Sequence, residues 1–215
     1  MVPAHINISH YVEKTEALGP FTRSAFWVQG CPFRCLDCLS PDMREQGGEW
    51  LSAAELADVL LEIYARLDIE GVTVSGGEPF AQSAAVADVI QRIRKRADYG
   101  VIVYTGFTIE ELRASGGVGA ASLLKEADIL IDGRYVAELD DGRPYRGSSN
   151  QRLLMLSERY KGVFDSYYNG SSARRVEINV GPGRATLVGV PSKEAIDVWR
   201  KMRASTGRLA QIPKV

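Results

Sequence analysis

Apolar positions change period along this chain in a regular way. Four short runs, Arg23 to Gln29, Gly71 to Ser75, Val101 to Thr105 and Asp128 to Ile131, have the length and aliphatic content of buried strands, Arg23 to Gln29 being the first core strand. Between them lie stretches of helical period. Leu56, Val59, Leu60, Ile63 and Leu67 form one apolar face behind the capping-box sequence Ser52-Ala53-Ala54-Glu55. Val86, Val89, Ile90 and Ile93 form a second, with Arg92, Lys95 and Arg96 on the solvated side. Thr108-Ile109-Glu110-Glu111 starts a third helix, Ser115 to Gly119 breaks it, and a short helix through Leu123 and Leu124 follows. Strand and helix in this alternation predict parallel crossovers, hence an α/β fold built as an open or partial parallel β/α barrel. The ligand face of such a barrel lies at the C-terminal ends of its strands.

Past the fourth strand the pattern changes. Asp132 to Arg152 is polar and rich in Gly and Ser, with Asp140-Asp141-Gly142 as a turn signal; it reads as a binding loop or lid, or else as a solvated connection. Within it Arg146, Asn150, Gln151 and Arg152 are candidates to touch a ligand. Ser157 to Tyr168 reads as helical, ended by Asn169-Gly170-Ser171-Ser172. Val176, Ile178 and Val180 alternate with polar residues, and Gly181-Pro182-Gly183-Arg184 turns the chain into Ala185 to Val190, which predicts a hairpin. Lys193 to Arg203 is a final amphipathic helix carrying Ile196, Val198, Trp199 and Met202. Covering an open sheet edge is the simplest task for this appendage.

The chemistry concentrates in one loop at the end of the first strand. All three cysteines of the chain, Cys31, Cys35 and Cys38, fall within eight residues. Three thiols cannot close a disulfide framework without one left over. A zinc site needs a fourth ligand, which only His5 or His10 offers, and an electron-transfer ferredoxin wants four cysteines per cluster. The spacing Cys-x3-Cys-x2-Cys favours a four-iron cluster in which three irons have thiolate ligands and the fourth is open. An iron-sulfur or zinc binding module without catalysis is the competing reading from a different class.

The cysteine run, together with Phe26-Trp27-Val28-Gln29-Gly30, Val72 to Pro79, Val103 to Thr108, Ile131 to Tyr135 and Gly147 to Arg152, resembles the radical S-adenosylmethionine (SAM) enzymes, and among them the small activating enzymes of glycyl-radical proteins. The resemblance covers about residues 20 to 153 in the family's order. It implies a radical SAM core over 1–153, holding the cluster and SAM, and an extension over 154–215 packed on the same domain. It also implies a 4Fe-4S cluster held by Cys31, Cys35 and Cys38, with SAM chelating the open iron. Gly76, Gly77, Glu78 and Pro79 would hold SAM, Glu78 accepting from its ammonium, while Tyr104 and Thr105 line its pocket; no catalytic side chain beyond cluster and SAM is implied. Reductive cleavage of SAM then yields a 5′-deoxyadenosyl radical that abstracts hydrogen, in these enzymes from a glycine of a partner protein, with a flavodoxin or ferredoxin as electron donor. Modification of a peptide or a small metabolite is the alternative within the same chemistry.

Three positions depart from the family pattern. Asp37 stands where an aromatic residue often touches adenine, Ser40 where Asn is common, and Arg34 where His is frequent. They bear on the substrate more than on the cofactors. Composition adds exclusions: 215 residues with 45% hydrophobic and 25% charged content suit a globular domain and argue against disorder. A formal net charge of -1 gives no electrostatic cue for nucleic acid or an anionic membrane. No apolar run reaches membrane length, the start Met1 to Ile6 lacks a signal-peptide pattern, and free thiols with an oxygen-sensitive cluster fit a reducing compartment, so a cytoplasmic location is expected.

Overall fold

The computed structural model describes residues 4–45, 47–169, 174–181 and 184–205. One seven-stranded sheet organises them: β1 (His5–Thr15), β2 (Arg23–Val28), β3 (Glu49–Ser52), β4 (Gly71–Gly76), β5 (Gly100–Tyr104), β6 (Ile129–Asp132) and β7 (Arg152–Met155), in the order β3-β1-β2-β4-β5-β6-β7. The four central strands β2, β4, β5 and β6 are mutually parallel, and β1, β3 and β7 pair antiparallel at the flanks. The crossovers run through α1 (Ala53–Leu67), α2 (Ser83–Arg94), and α3 (Ile109–Ala114) with α4 (Val118–Glu126). The architecture is mixed α/β with a mostly parallel centre.

Alternation within the strands decides which face meets which layer. Val72, Val74, Val101, Val103 and Leu130 pack with Leu56, Leu60, Val86, Ile90, Ile93 and Leu123 of the helices in one buried core. The opposite face presents Ala25 and Trp27 to Val12, Leu18 and Val188, and Ile102, Ile129 and Ile131 to Tyr160. Each such aliphatic side chain stabilises the fold by about 1.5–3 kcal/mol when fully buried, so both faces contribute. The capping box before α1 forms as its sequence suggests: Glu55 N donates to Ser52 Oγ at 3.2 Å and Ser52 N donates to Glu55 Oε2 at 2.7 Å. Thr108 and Glu111 repeat it before α3.

Several expectations are corrected. Arg23 to Val28 is not the first strand: β1 precedes it, burying Ile6, Ile8, His10 and Val12 at alternate positions. β3 and β7 are likewise additional, and β7 takes Arg152 out of the expected loop. Ser157 to Tyr168 is not an α-helix but a run of turns with one π-helical turn at Asp165–Asn169. Its side chains are tethered elsewhere: Ser157 Oγ donates to Asp128 at 2.5 Å, and Arg159 Nε donates to Glu70 at 2.8 Å. Such tertiary anchors override a modest helical pattern. Gly170, Ser171 and Ser172 of its expected end lie outside the described residues, as do Pro182 and Gly183 of the hairpin turn. The hairpin itself, β8 (Val176–Gly181) with β9 (Arg184–Gly189), and the final helix α5 (Lys193–Ser205) are present. Among the described residues no helix is long and apolar enough to cross a membrane.

Candidate active site

The cysteine loop is fixed by its backbone. Just past the end of β2, Gly30 N donates to Met43 O at 2.8 Å, and Cys31 N donates to Arg44 O at 3.3 Å. On the other side Gly77 N donates to Val28 O at 2.8 Å and Glu78 N to Gly30 O at 2.9 Å. Gln29 Nε2 completes the frame by donating to Asp42 O and Glu45 O at 3.1 and 2.8 Å. A side chain at Gly77 is impossible here, since a Cβ would sit 2.1 Å from Gly30 O and 2.9 Å from Met43 O. The adjacent strand end therefore approaches the loop as closely as backbone allows.

A cavity of about 170 Å³ opens at the C-terminal ends of the parallel strands, and Cys31, Cys35, Cys38, Gly76, Gly77, Glu78, Tyr104 and Thr105 all line it. Pro79 does not; it is buried at the first position of a 3-10 turn and shapes the exit of the Gly76 to Glu78 turn. The three thiols are half-buried, and among the described residues no three acidic, His or Cys side chains converge on a single-ion point. Burial pushes the Cys31 and Cys35 thiols up; the other thiols add to this, while Arg134 and Arg44 draw Cys35 back down. A larger cavity of about 900 Å³ lies at the opposite strand ends, beside Thr22, Glu70 and Asp98, and contains none of the thiols.

Glu78 is 1% exposed and already occupied. Its Oε1 accepts from Phe80 N at 2.9 Å and Thr105 Oγ1 at 2.8 Å, and its Oε2 accepts from Gly106 N at 2.8 Å. The carboxyl thus clamps the turn after β4 to the exit of β5, with burial holding it up at about 7 against the pull of those three donors. Tyr104 differs: its hydroxyl is buried without a hydrogen-bond partner among the described residues, and burial drives its pKa upward. The residue borders the cavity, but the hydroxyl itself is closed off from it, on the side of Tyr145 and Arg23.

Several lining residues lie beyond the candidates read from the sequence. Leu18, Trp27, Gly133, Arg134, Tyr135, Gly189 and Val190 border the cavity. Arg134 stacks over the Phe33 ring at 4.5 Å, and Phe33 meets Phe107 edge-on with ring centroids 4.7 Å apart. Of the four loop candidates only Gln151 reaches the cavity; it holds the loop shut by accepting from Gly147 N at 2.8 Å and donating to Gly133 O at 3.0 Å. Arg146 pairs with Asp141, Asn150 donates to Arg134 O, and Arg152 pairs with Asp132 and Glu110. Asp37 is exposed and outside the lining, with φ at +57°, a left-handed turn position that Asp tolerates and an aromatic residue does not favour. Arg34 caps the loop from outside, donating to Cys31 O and Phe33 O.

A family model described as a 4Fe-4S single cluster domain matches residues 17–154. The anaerobic ribonucleoside-triphosphate reductase-activating protein of Vibrio cholerae is 30% identical over 152 residues, covering 68% of this chain and 96% of that protein. The chain belongs to the radical SAM family of glycyl-radical activating enzymes. A pyruvate formate-lyase-activating enzyme of Clostridium pasteurianum is 32% identical over 128 residues, 58% of this chain and 50% of that one. A crystal structure of QueE from Escherichia coli is a distant likeness, with a TM-score of 0.40 and 14% identity over 62% of this chain and 73% of that one. A 4Fe-4S cluster and SAM are the cofactors of this radical SAM enzyme. The cavity suits them chemically: three thiols and no fourth, beside a turn stripped of side chains.

Proposed function

We propose that this radical SAM enzyme activates a partner protein by abstracting hydrogen from one of its glycines. The observation that carries the reading is a single cavity shared by the three thiols, the Gly76 to Glu78 turn and the end of β5. Cys31, Cys35 and Cys38 would hold three irons of the cluster, leaving the fourth for SAM. When bound, that pair supplies one-electron reductive cleavage and a 5′-deoxyadenosyl radical.

The chain's own residues then have four tasks. Gly76 and Gly77 let backbone N–H and C=O groups approach the methionyl end of SAM, where side chains would block it. Glu78 keeps that turn in place through Thr105 and Gly106, and the remaining lone pair on Oε2 is left to accept from the SAM ammonium. Pro79 stiffens the turn, and Tyr104 lines the pocket beside it. Leu18, Trp27 and Val190 supply apolar wall that keeps water from a reactive carbon.

The finer arrangement belongs to the same proposal. The parallel strands act as a partial β/α barrel of the radical SAM type, with a core over 1–153 and an extension over 154–215 packed on the same domain. Electrons come from a flavodoxin or ferredoxin, and the enzyme works in the cytoplasm. The relatives that activate a reductase and a formate-lyase support a macromolecular substrate that brings its own glycine loop. The test is anaerobic reconstitution, reduction with dithionite, and assay for 5′-deoxyadenosine, followed by electron paramagnetic resonance after mixing with a glycyl-radical protein. Cleavage and a glycyl doublet are expected; a fully loaded cluster that leaves SAM intact overturns the enzyme reading, and cleavage without a doublet overturns the partner.

A further inference from the structure

We infer that the C-terminal hairpin is a wall of this cavity and that Arg174 is the residue that positions it. The hairpin lies past residue 154, where the family match ends. Yet Gly189 and Val190, at the end of β9, border the same cavity as the three thiols.

Three contacts hold it there. Val188 is completely buried among Val12, Ala17, Leu18 and Trp27. Gly189 has φ at +114°, and a Cβ on it would sit 3.1 Å from Ala17 Cβ, besides 2.5 Å from Arg175 O of its own hairpin, so the absence of a side chain lets the hairpin close on the β1–β2 turn. On the turn between β1 and β2, Glu16 pairs with Arg175 and donates its N–H to Glu177 Oε1 at 2.9 Å.

Arg174 makes the connection on the other side. Its side chain is 9% exposed, and its guanidinium grips Asp140 with two bonds of 2.5 and 2.8 Å. Nε donates to Arg143 O at 2.9 Å and Nη2 to Arg146 O at 3.0 Å. All four acceptor atoms belong to the loop between β6 and β7, which also brings Arg134, Tyr135, Gly147 and Gln151 to the cavity. A planar fork with five donors satisfies a carboxylate and two carbonyls at once, which a lysine ammonium does not. Exposed ion pairs elsewhere, such as Arg96 with Asp58, lack both burial and carbonyl partners. The hairpin therefore bridges the β1–β2 turn and the loop across the cavity mouth, and Arg174 holds the loop closed over the thiols.

The test uses the full-length chain without cluster, so it stands apart from the proposed function and its failure is separable from failure of that reading. Hydrogen exchange is measured on wild type, R174A, R174K and R96A. R174A is expected to speed exchange at Gly147, Ser149 and Gln151 at least tenfold while amides of α1 and α2 keep their rates; R174K falls between, and R96A matches wild type. Labelling of the three thiols by a bulky disulfide reagent is expected to accelerate severalfold in R174A, as the wall moves away. Unchanged loop exchange, unchanged labelling, or an equal speed-up throughout the molecule would each overturn the inference. Binding of S-adenosylhomocysteine to the cluster-loaded protein adds a third readout, with R174A expected to bind about tenfold more weakly; equal affinity removes the wall from the cofactor site.

Discussion

Thr105 Oγ1 donates to Glu78 Oε1 across 2.8 Å, joining the exit of β5 to the turn after β4 through a carboxyl that is 1% exposed. Phe80 N and Gly106 N aim at the same carboxyl, so the two segments that border the cavity move as one piece. Burial charges a cost for this: it raises Glu78 from 4.5 to about 7, so the folded chain binds a proton there that the unfolded chain has already released. The contribution of Glu78 to stability is thus greatest below about pH 4.5 and declines as pH climbs through about 7.

The variant Glu78→Gln separates these effects. Its amide must turn an N–H toward Phe80 N or Gly106 N, leaving two donors face to face, and a cost of about 1–3 kcal/mol is expected. Its stability no longer follows the titration, so the advantage of wild type over the variant should shrink by up to about 3 kcal/mol between about pH 5 and about pH 8. Urea denaturation of both proteins at the two pH values measures this. An advantage that stays constant would place the Glu78 carboxyl in the ordinary range, with the three donors outweighing burial.

Tyr104→Phe should cost the fold nothing. The hydroxyl is buried and unpartnered among the described residues, so its removal relieves a desolvated group and is expected to leave stability unchanged or raised by up to about 1 kcal/mol. Affinity of the reconstituted protein for S-adenosylhomocysteine should stay within about twofold of wild type, because the hydroxyl presents no surface to the cavity. Calorimetric melting and titration read the two separately. A destabilised variant would mean that the hydroxyl has a partner in the fold, and a severalfold loss of affinity would place it against the ligand.

Much of this was legible in the chain because local signals and tertiary packing agree. The strands β2, β4, β5 and β6 are short apolar runs, and both capping boxes form as written. The Cys31 to Cys38 loop and the Gly76 to Pro79 turn are recognisable because their chemistry tolerates few other residue types at that spacing. β1 carried a period-2 signal in Ile6, Ile8 and Val12, masked by a buried His10 that stacks on Trp27 with ring centroids 4.5 Å apart. Ser157 to Tyr168 misleads, since Tyr160 is held by Glu70 and Arg23, far away in sequence. Nothing local in Gly189 and Val190 announces a cavity wall; only the docking of Val188 into the sheet's second face puts them there.

Gly77→Ala tests the closest approach in the site. With Gly30 O and Met43 O at 2.1 and 2.9 Å from the new Cβ, backbone on both sides must give way, and the cysteine loop is the part that shifts. Iron incorporation after anaerobic reconstitution should fall at least tenfold. Gly162→Ala is the control, because a Cβ there meets nothing within 4 Å, and it should keep full iron content with stability within about 0.5 kcal/mol of wild type. Normal loading of Gly77→Ala would show that the loop does not depend on this contact.

Arg152 separates structural from ligand-binding roles in the late loop. Its guanidinium bonds Asp132 at 2.5 and 2.9 Å, and that carboxylate is fully buried, with Ile109 N as a further donor at 2.8 Å. Arg152→Ala strands the carboxylate with one partner. Removing one member of a buried pair costs about 3–5 kcal/mol, and the half-exposed position of Arg152 lowers the expectation to about 2 kcal/mol. Glu110, the exposed partner of the same guanidinium, has water to replace it, so Glu110→Ala should leave stability nearly unaltered. Neither side chain lines the cavity, and both variants should bind S-adenosylhomocysteine as wild type does at temperatures where they remain folded. Chemical denaturation ranks the two losses: an Arg152→Ala cost no larger than that of Glu110→Ala would show that Asp132 does not need its arginine, and weakened binding in either would return this end of the loop to the ligand.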